Sequence, residues 1–256
     1  MATHFFNPRV HPAGLSDVDL ETMQIFGVSS VIAVADTGAT ANVEGLLAHF
    51  DELLGKQLPR LERAGLKAGV ALGVHPLRLP RRGLSQILDA LPGYLSTGRV
   101  VAIGQLGLRT GNEAEEEAFL AQLALAAQFQ KPVIVSAPDV DTERITRRTL
   151  VALQASELEP HRVLFDGAIG KTVRGIRELG FYAGLTVHPA MLPMERAVAL
   201  VRSLGTERLV LGDAAGFGAS DIVSLGRAAH RLAKAGLSAR VIKQVTWDHA
   251  AALFRL

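Results

Sequence analysis

The chain has no cysteine. Disulfides, thiolate metal sites and thiol nucleophiles are therefore excluded. Aromatic residues make up only 5% of the 256 positions, with one tryptophan and two tyrosines, so stacking along a nucleic acid has little to rest on. Neither sign of charge is in excess. The formal net charge is +2 and the charges are interspersed, too little for a field that would gather a polyanion. No apolar run approaches the ~20 residues of a membrane span, and no basic stretch followed by an apolar one opens the chain. The expectation is a soluble, cytoplasmic protein with no membrane or nucleic-acid partner.

What the chain does have is aliphatic surface. Hydrophobic residues reach 48%, so with few aromatics the core must be built from Ala, Leu and Val. Nothing along residues 1–256 has the composition of a linker or a low-complexity segment, and one large domain is expected. Short apolar runs recur at 5–11, 28–36, 69–75, 100–108, 132–138, 162–168, 181–187 and 208–216. Amphipathic stretches such as EAEEEAFLAQLALAAQF and PMERAVALVRSLG lie between them, and many close on glycine, as a helix C-terminus prefers. Strand and helix alternating eight times in this length is the pattern of an α/β protein, a single (β/α)8 TIM barrel. A doubly wound open sheet would carry a glycine-rich turn after its first strand, and HPAGLSD serves that purpose poorly.

In such a barrel function gathers at the C-terminal strand ends. Those ends carry Arg9 and His11, Asp36, His75, Gln105, Ser136, Asp166, His188 and Asp213. A polar ring by itself marks a solvent-reached mouth. Other motifs add little. GAIGKT (167–172) ends like a phosphate-binding loop, but Phe165 stands where its first glycine belongs. Ser136 with His11 or His188 and Asp166 or Asp213 would make a nucleophile set, yet no Gly-x-Ser-x-Gly elbow surrounds it. Trp247 is expected to anchor the last helix against the barrel.

The ordered motifs FNPRVH, LGVHP, VVAIGQLGL, KPVIVSAP, RVLFDGA, ERLVLGDA and TWDHAAALF run nearly end to end. Together they resemble TatD-like metal-dependent hydrolases of the amidohydrolase superfamily, in the archaeal-type TatD-related branch. The resemblance implies a TIM barrel holding one or two divalent metals at its mouth and hydrolysing phosphodiester or related bonds. It also implies particular ligands that this chain replaces. The first strand of the family ends Asp-x-His-x-His, where Asn7, Arg9 and His11 stand here. The fourth reads Ile-Gly-Glu-x-Gly-Leu-Asp, where Gln105 replaces the metal-bridging Glu and Arg109 the Asp. A His after the fifth strand is replaced by Ser136, and after the sixth Asp166 is followed by Gly167. Asp213 stands near the family's final Asp.

An amide is a neutral, weaker ligand than a carboxylate, and a guanidinium has no lone pair to give a metal. The expectation is a catalytically degenerate barrel with no metal cofactor and no catalytic residues. It would act as a binding or scaffold protein for an anionic small molecule or a protein partner. Its ligand-binding residues would be Arg9, His11, His75, Gln105, Ser136 and Asp213, with Arg9 making bidentate contacts and Arg109 and Lys171 at the rim. The alternative is an active phosphodiesterase-like hydrolase. It would hold one zinc or manganese ion on a site rebuilt from His11, His75 and Asp213, with His188 as a further candidate and Asp213 and His11 in the catalytic roles.

Overall fold

The computed structural model describes residues 4–35 and 41–256. Its eight strands are β1 (Phe5–Val10), β2 (Val28–Val34), β3 (Lys67–Leu72), β4 (Val100–Leu106), β5 (Val133–Ser136), β6 (Val163–Asp166), β7 (Tyr182–Thr186) and β8 (Leu209–Gly212). They form one parallel sheet in sequence order, each followed by at least one helix. The expected (β/α)8 barrel is the architecture found. Strands covered on both faces can be apolar throughout, which is why each expected run contains a strand core.

Two layers of packing result. Inside the barrel, Phe6, Ile32, Val34, Ala71, Ala102, Ile134, Leu164 and Val210 form one cluster. It is continued by Ala250, Leu253 and Phe254 of the C-terminal segment, with Trp247 against it. The indole lies 5.9 Å from the Phe6 ring and 6.2 Å from His4, so this segment plugs the end where the strands begin. Outside, the helices bury their apolar faces on the other side of the sheet in a second, larger cluster.

The first and last strands close the ring through backbone contact. Val10 bridges Ala215 in parallel, and the His11 amide donates to the Ala215 carbonyl at 2.8 Å. The approach leaves no room for side chains. A Cβ on Gly14 would lie 2.0 Å from the Gly216 carbonyl oxygen, and one on Gly216, whose φ is +84°, would lie 2.1 Å from that of His11. Register also slips in β1 against β2, once between Phe5 and Phe6 and again between Asn7 and Val10. Among the described residues, no helix is long and apolar enough to cross a membrane.

Candidate functional site

β1 ends by delivering Arg9 and, one residue beyond the strand, His11. Both are buried. A buried guanidinium needs a counter-charge, and Arg9 Nη1 finds Asp166 Oδ2 at 2.9 Å, at the end of β6. The other oxygen of Asp166 accepts from the Thr186 hydroxyl at 2.7 Å. Arg9 Nε donates to His11 Nε2 at 3.2 Å, and its guanidinium lies over the Phe217 ring, 5.6 Å from the centroid. Among the described residues Nη2 donates no hydrogen bond.

Because His11 Nε2 accepts from Arg9, the ring proton belongs on Nδ1, which has no partner among the described residues. Burial first, then the adjacent Arg9 charge, holds the His11 pKa well below its ordinary value. Asp213, one residue past β8, is fully buried. Its Oδ1 accepts from Asn7 Nδ2 at 2.5 Å and from the Ala215 amide at 3.0 Å. Its Oδ2 has no partner among the described residues. Burial pushes its pKa up to about 7, against the opposing pull of those hydrogen bonds.

Gln105 on β4 is 1% exposed, and neither its amide oxygen nor its nitrogen has a partner among the described residues. The Ser136 hydroxyl at the end of β5 is likewise unpartnered. His75 follows β3 on a loop whose preceding residue, Val74, is clamped by Gln122. The Val74 amide donates to Gln122 Oε1 at 2.7 Å, and Gln122 Nε2 donates back to its carbonyl at 3.3 Å. The Leu77 amide donates to His75 Nδ1 at 3.2 Å, which leaves the ring proton on Nε2. Burial, followed by the Arg9 charge, lowers the His75 pKa to about 4.

A cavity of about 500 Å³ opens over this mouth. Arg9, His75, Ser136 and Asp166 line it, with Arg109, whose Nε pairs with Asp139 at 2.9 Å. His11, Gln105 and Asp213 are not part of its lining. Lys171, expected at the rim, is exposed and pairs instead with Glu143 at 2.5 Å. His188 is committed to the backbone: Nδ1 accepts from the Ala190 amide at 3.1 Å, and Nε2 lies 2.9 Å from the Phe217 carbonyl, to which it donates. Asp36 lies outside the described residues. Nε and one N–H of Nη1 already donate within the protein, so the expected bidentate use of Arg9 would fall to the second Nη1 N–H and Nη2.

Three features escaped the sequence reading. Phe217 sits in a loop with no periodic signal. Asp139, the partner of Arg109, lies thirty positions away from it in sequence. Glu115 collects the amides of Arg109, Thr110 and Gly111 at 2.8, 2.8 and 2.9 Å. Only the last had a readable sign, the Asn112-x-x-Glu115 spacing of a helix start. A larger groove of about 1060 Å³ lies by the N-terminal end of β1, among His4, Phe26 and His230, and contains none of the mouth residues.

Comparison with known proteins agrees with this architecture. The sequence profile of TatD-related DNases matches residues 19–214. The chain belongs to the TatD-related DNase family. A relative in Methanocaldococcus jannaschii, described as an uncharacterized metal-dependent hydrolase, is 29% identical over 240 residues, spanning 93% of this chain and 94% of its own. The TatD-like protein of Archaeoglobus fulgidus superposes on this TatD-related barrel with a TM-score of 0.83 at 24% identity, covering 98% of this chain and all of its own. The phosphotriesterase homology protein of Escherichia coli, solved with phosphate in its active site, gives 0.76 at 16% identity with both chains fully covered. Likeness at these identities to the solved structures is likeness of fold.

Proposed function

We propose that this TatD-related barrel works without a metal centre at its mouth and binds an anionic small molecule there. The observation that carries the reading is the position of Arg9. Its fixed positive charge stands beside His11 and occupies the Nε2 lone pair that a metal would need. The remaining donors do not make up the loss. Both nitrogens of His188 are used, and Asp213 Oδ1 is held by Asn7 and Ala215. Gln105 offers an uncharged amide in place of a carboxylate. Among the described residues, no group of three or more His, Asp or Glu side chains is arranged to hold a metal ion. A divalent cation would need about three such ligands and would also face the guanidinium. The residues do not fit it, and no hydrolytic step is routed through a metal here.

A site hostile to cations favours anions. Among the described residues Arg9 Nη2 donates no hydrogen bond, and a guanidinium donor to an anion is among the stronger hydrogen bonds available. His75, Ser136 and Arg109 line the same cavity, and the ring N–H of His75 is an uncharged donor there. His11, Gln105 and Asp213 serve this reading from behind the lining, His11 by orienting Arg9. A carboxylate on a protein partner would meet the same groups, but a concave cavity of this size suits a small molecule better.

The test is elemental mass spectrometry on untagged protein purified without chelator, then soaked in zinc or manganese and dialysed. The expected content is far below one ion per chain. About one tightly held ion per chain would overturn the reading in favour of a hydrolase built on His11, His75 and Asp213, and phosphodiester cleavage would then be assayed.

A further inference from the structure

Resting on the reading of Arg9 as an anion site, we propose that the mouth cavity takes a monocarboxylate with an apolar body and discriminates against phosphates and dicarboxylates. Charge comes first. The charged side chains of the lining are Arg9 and Arg109, Asp139 and Asp166, and each cation is already paired with one of the carboxylates. The lining therefore carries no net charge. A single negative charge can be met by directed hydrogen bonds, whereas a second would sit in a partly desolvated space beside Asp166 and Asp139 with nothing to balance it.

The donors left over match that count. Arg9 Nη2 is one. His75 Nε2–H is another, since Nδ1 is occupied by the Leu77 amide. His75 lines the cavity and offers its ring N–H there. These donors suffice for the two oxygens of a carboxylate, and a phosphate dianion would be left with a second charge that nothing in the lining balances.

The rest of the wall is apolar, built from Leu77, Leu108, Ile169, Met191, Leu192 and Phe217. Leu77 is 46% exposed at the edge of the cavity, and an apolar ligand body would cover it. Burying such a body adds affinity to that of the guanidinium contacts. The volume of about 500 Å³ is within the usual range for small-molecule pockets.

Calorimetric titration of the protein as purified, with a matched set of probes, tests this. Affinity is expected to rise by about threefold for each methylene from butanoate to octanoate. Octanol, octyl phosphate and the dicarboxylate suberate should each bind at least about tenfold more weakly than octanoate. In Leu77→Asp, a substitution at an exposed position, octanoate affinity should fall by about tenfold or more. The paired variant Arg9→Gln/Asp166→Asn removes the buried ion pair together, so no lone charge is stranded, and should bind octanoate no better than octanol. Octyl phosphate or suberate binding as tightly as octanoate would overturn this inference while leaving Arg9 as an anion site. Octanol matching octanoate, or no anion binding at all, would overturn both readings.

Discussion

Asp213 and the histidines of the mouth respond to pH in opposite directions. The folded Asp213 pKa lies near 7 against an ordinary 3.8. Between those values the native protein holds a proton the unfolded chain has released, so this group makes stability fall as pH rises. His11 and His75 are lowered from 6.5, His75 to about 4. Between about 4 and 6.5 the unfolded chain takes up protons that the native one refuses, so their contribution makes stability rise with pH. The two trends offset each other over that range. In Asp213→Asn this opposing trend is gone. The variant should gain stability more steeply than wild type between pH 4 and 6.5, and at pH 8 exceed it by up to on the order of 4 kcal/mol. Thermal melts across pH check this, and a variant less stable than wild type at pH 8 would contradict the assignment. The replaced ligands support a reciprocal prediction. Asn7→Asp, Arg9→His and Gln105→Glu made together should bring zinc retention from near zero toward one ion per chain, read by elemental mass spectrometry.

At the level of elements, the loop after β4 shows what holds a mouth residue in position. Arg109 stands on a turn whose three successive amides converge on Glu115, inside the first turn of the helix Glu113–Gln128. Burial raises the Glu115 pKa, and the amide bonds from Gly111, Thr110 and Arg109 outweigh it, leaving the carboxylate below its ordinary range. Its contribution is therefore present above the unfolded carboxylate pKa and is lost as pH falls through the lower folded value. Glu115→Ala should cost about 1–3 kcal/mol in urea unfolding at neutral pH, with the difference shrinking toward acid.

This loop also shows how far the sequence could be read. Its Asn112-x-x-Glu115 spacing went unread, although capping is local chemistry that a sequence carries. The eight strands were visible, since a strand buried on both faces leaves an unbroken apolar run. Several ends were read too long, as with 132–138 against Val133–Ser136, because apolar residues continue into the mouth loops. The site was legible as an order of residues but not as a set of partnerships. Arg9 meets Asp166 across 157 positions, and only closure of the ring decides which strand end faces which. The same closure put Phe217 beneath the guanidinium, while Lys171 meets Glu143 through the neighbouring strands β5 and β6.

For the molecule as a whole, that closure rests on the contact between the loops after β1 and β8. Gly216 combines a left-handed backbone with a carbonyl at the position its side chain would take. Gly216→Ala should destabilise the barrel by about 2–4 kcal/mol, measured by chemical denaturation. It should also weaken any ligand bound at Arg9, because the displaced carbonyl belongs to His11. The opposite end is closed differently, by the C-terminal segment packed beneath the inner cluster. The lone indole of the chain is fixed there against Phe6, at the end of the barrel away from the mouth. Its ultraviolet emission will report loss of the whole fold and stay dark to events at the mouth, so a ligand that leaves this glow unchanged has not thereby failed to bind.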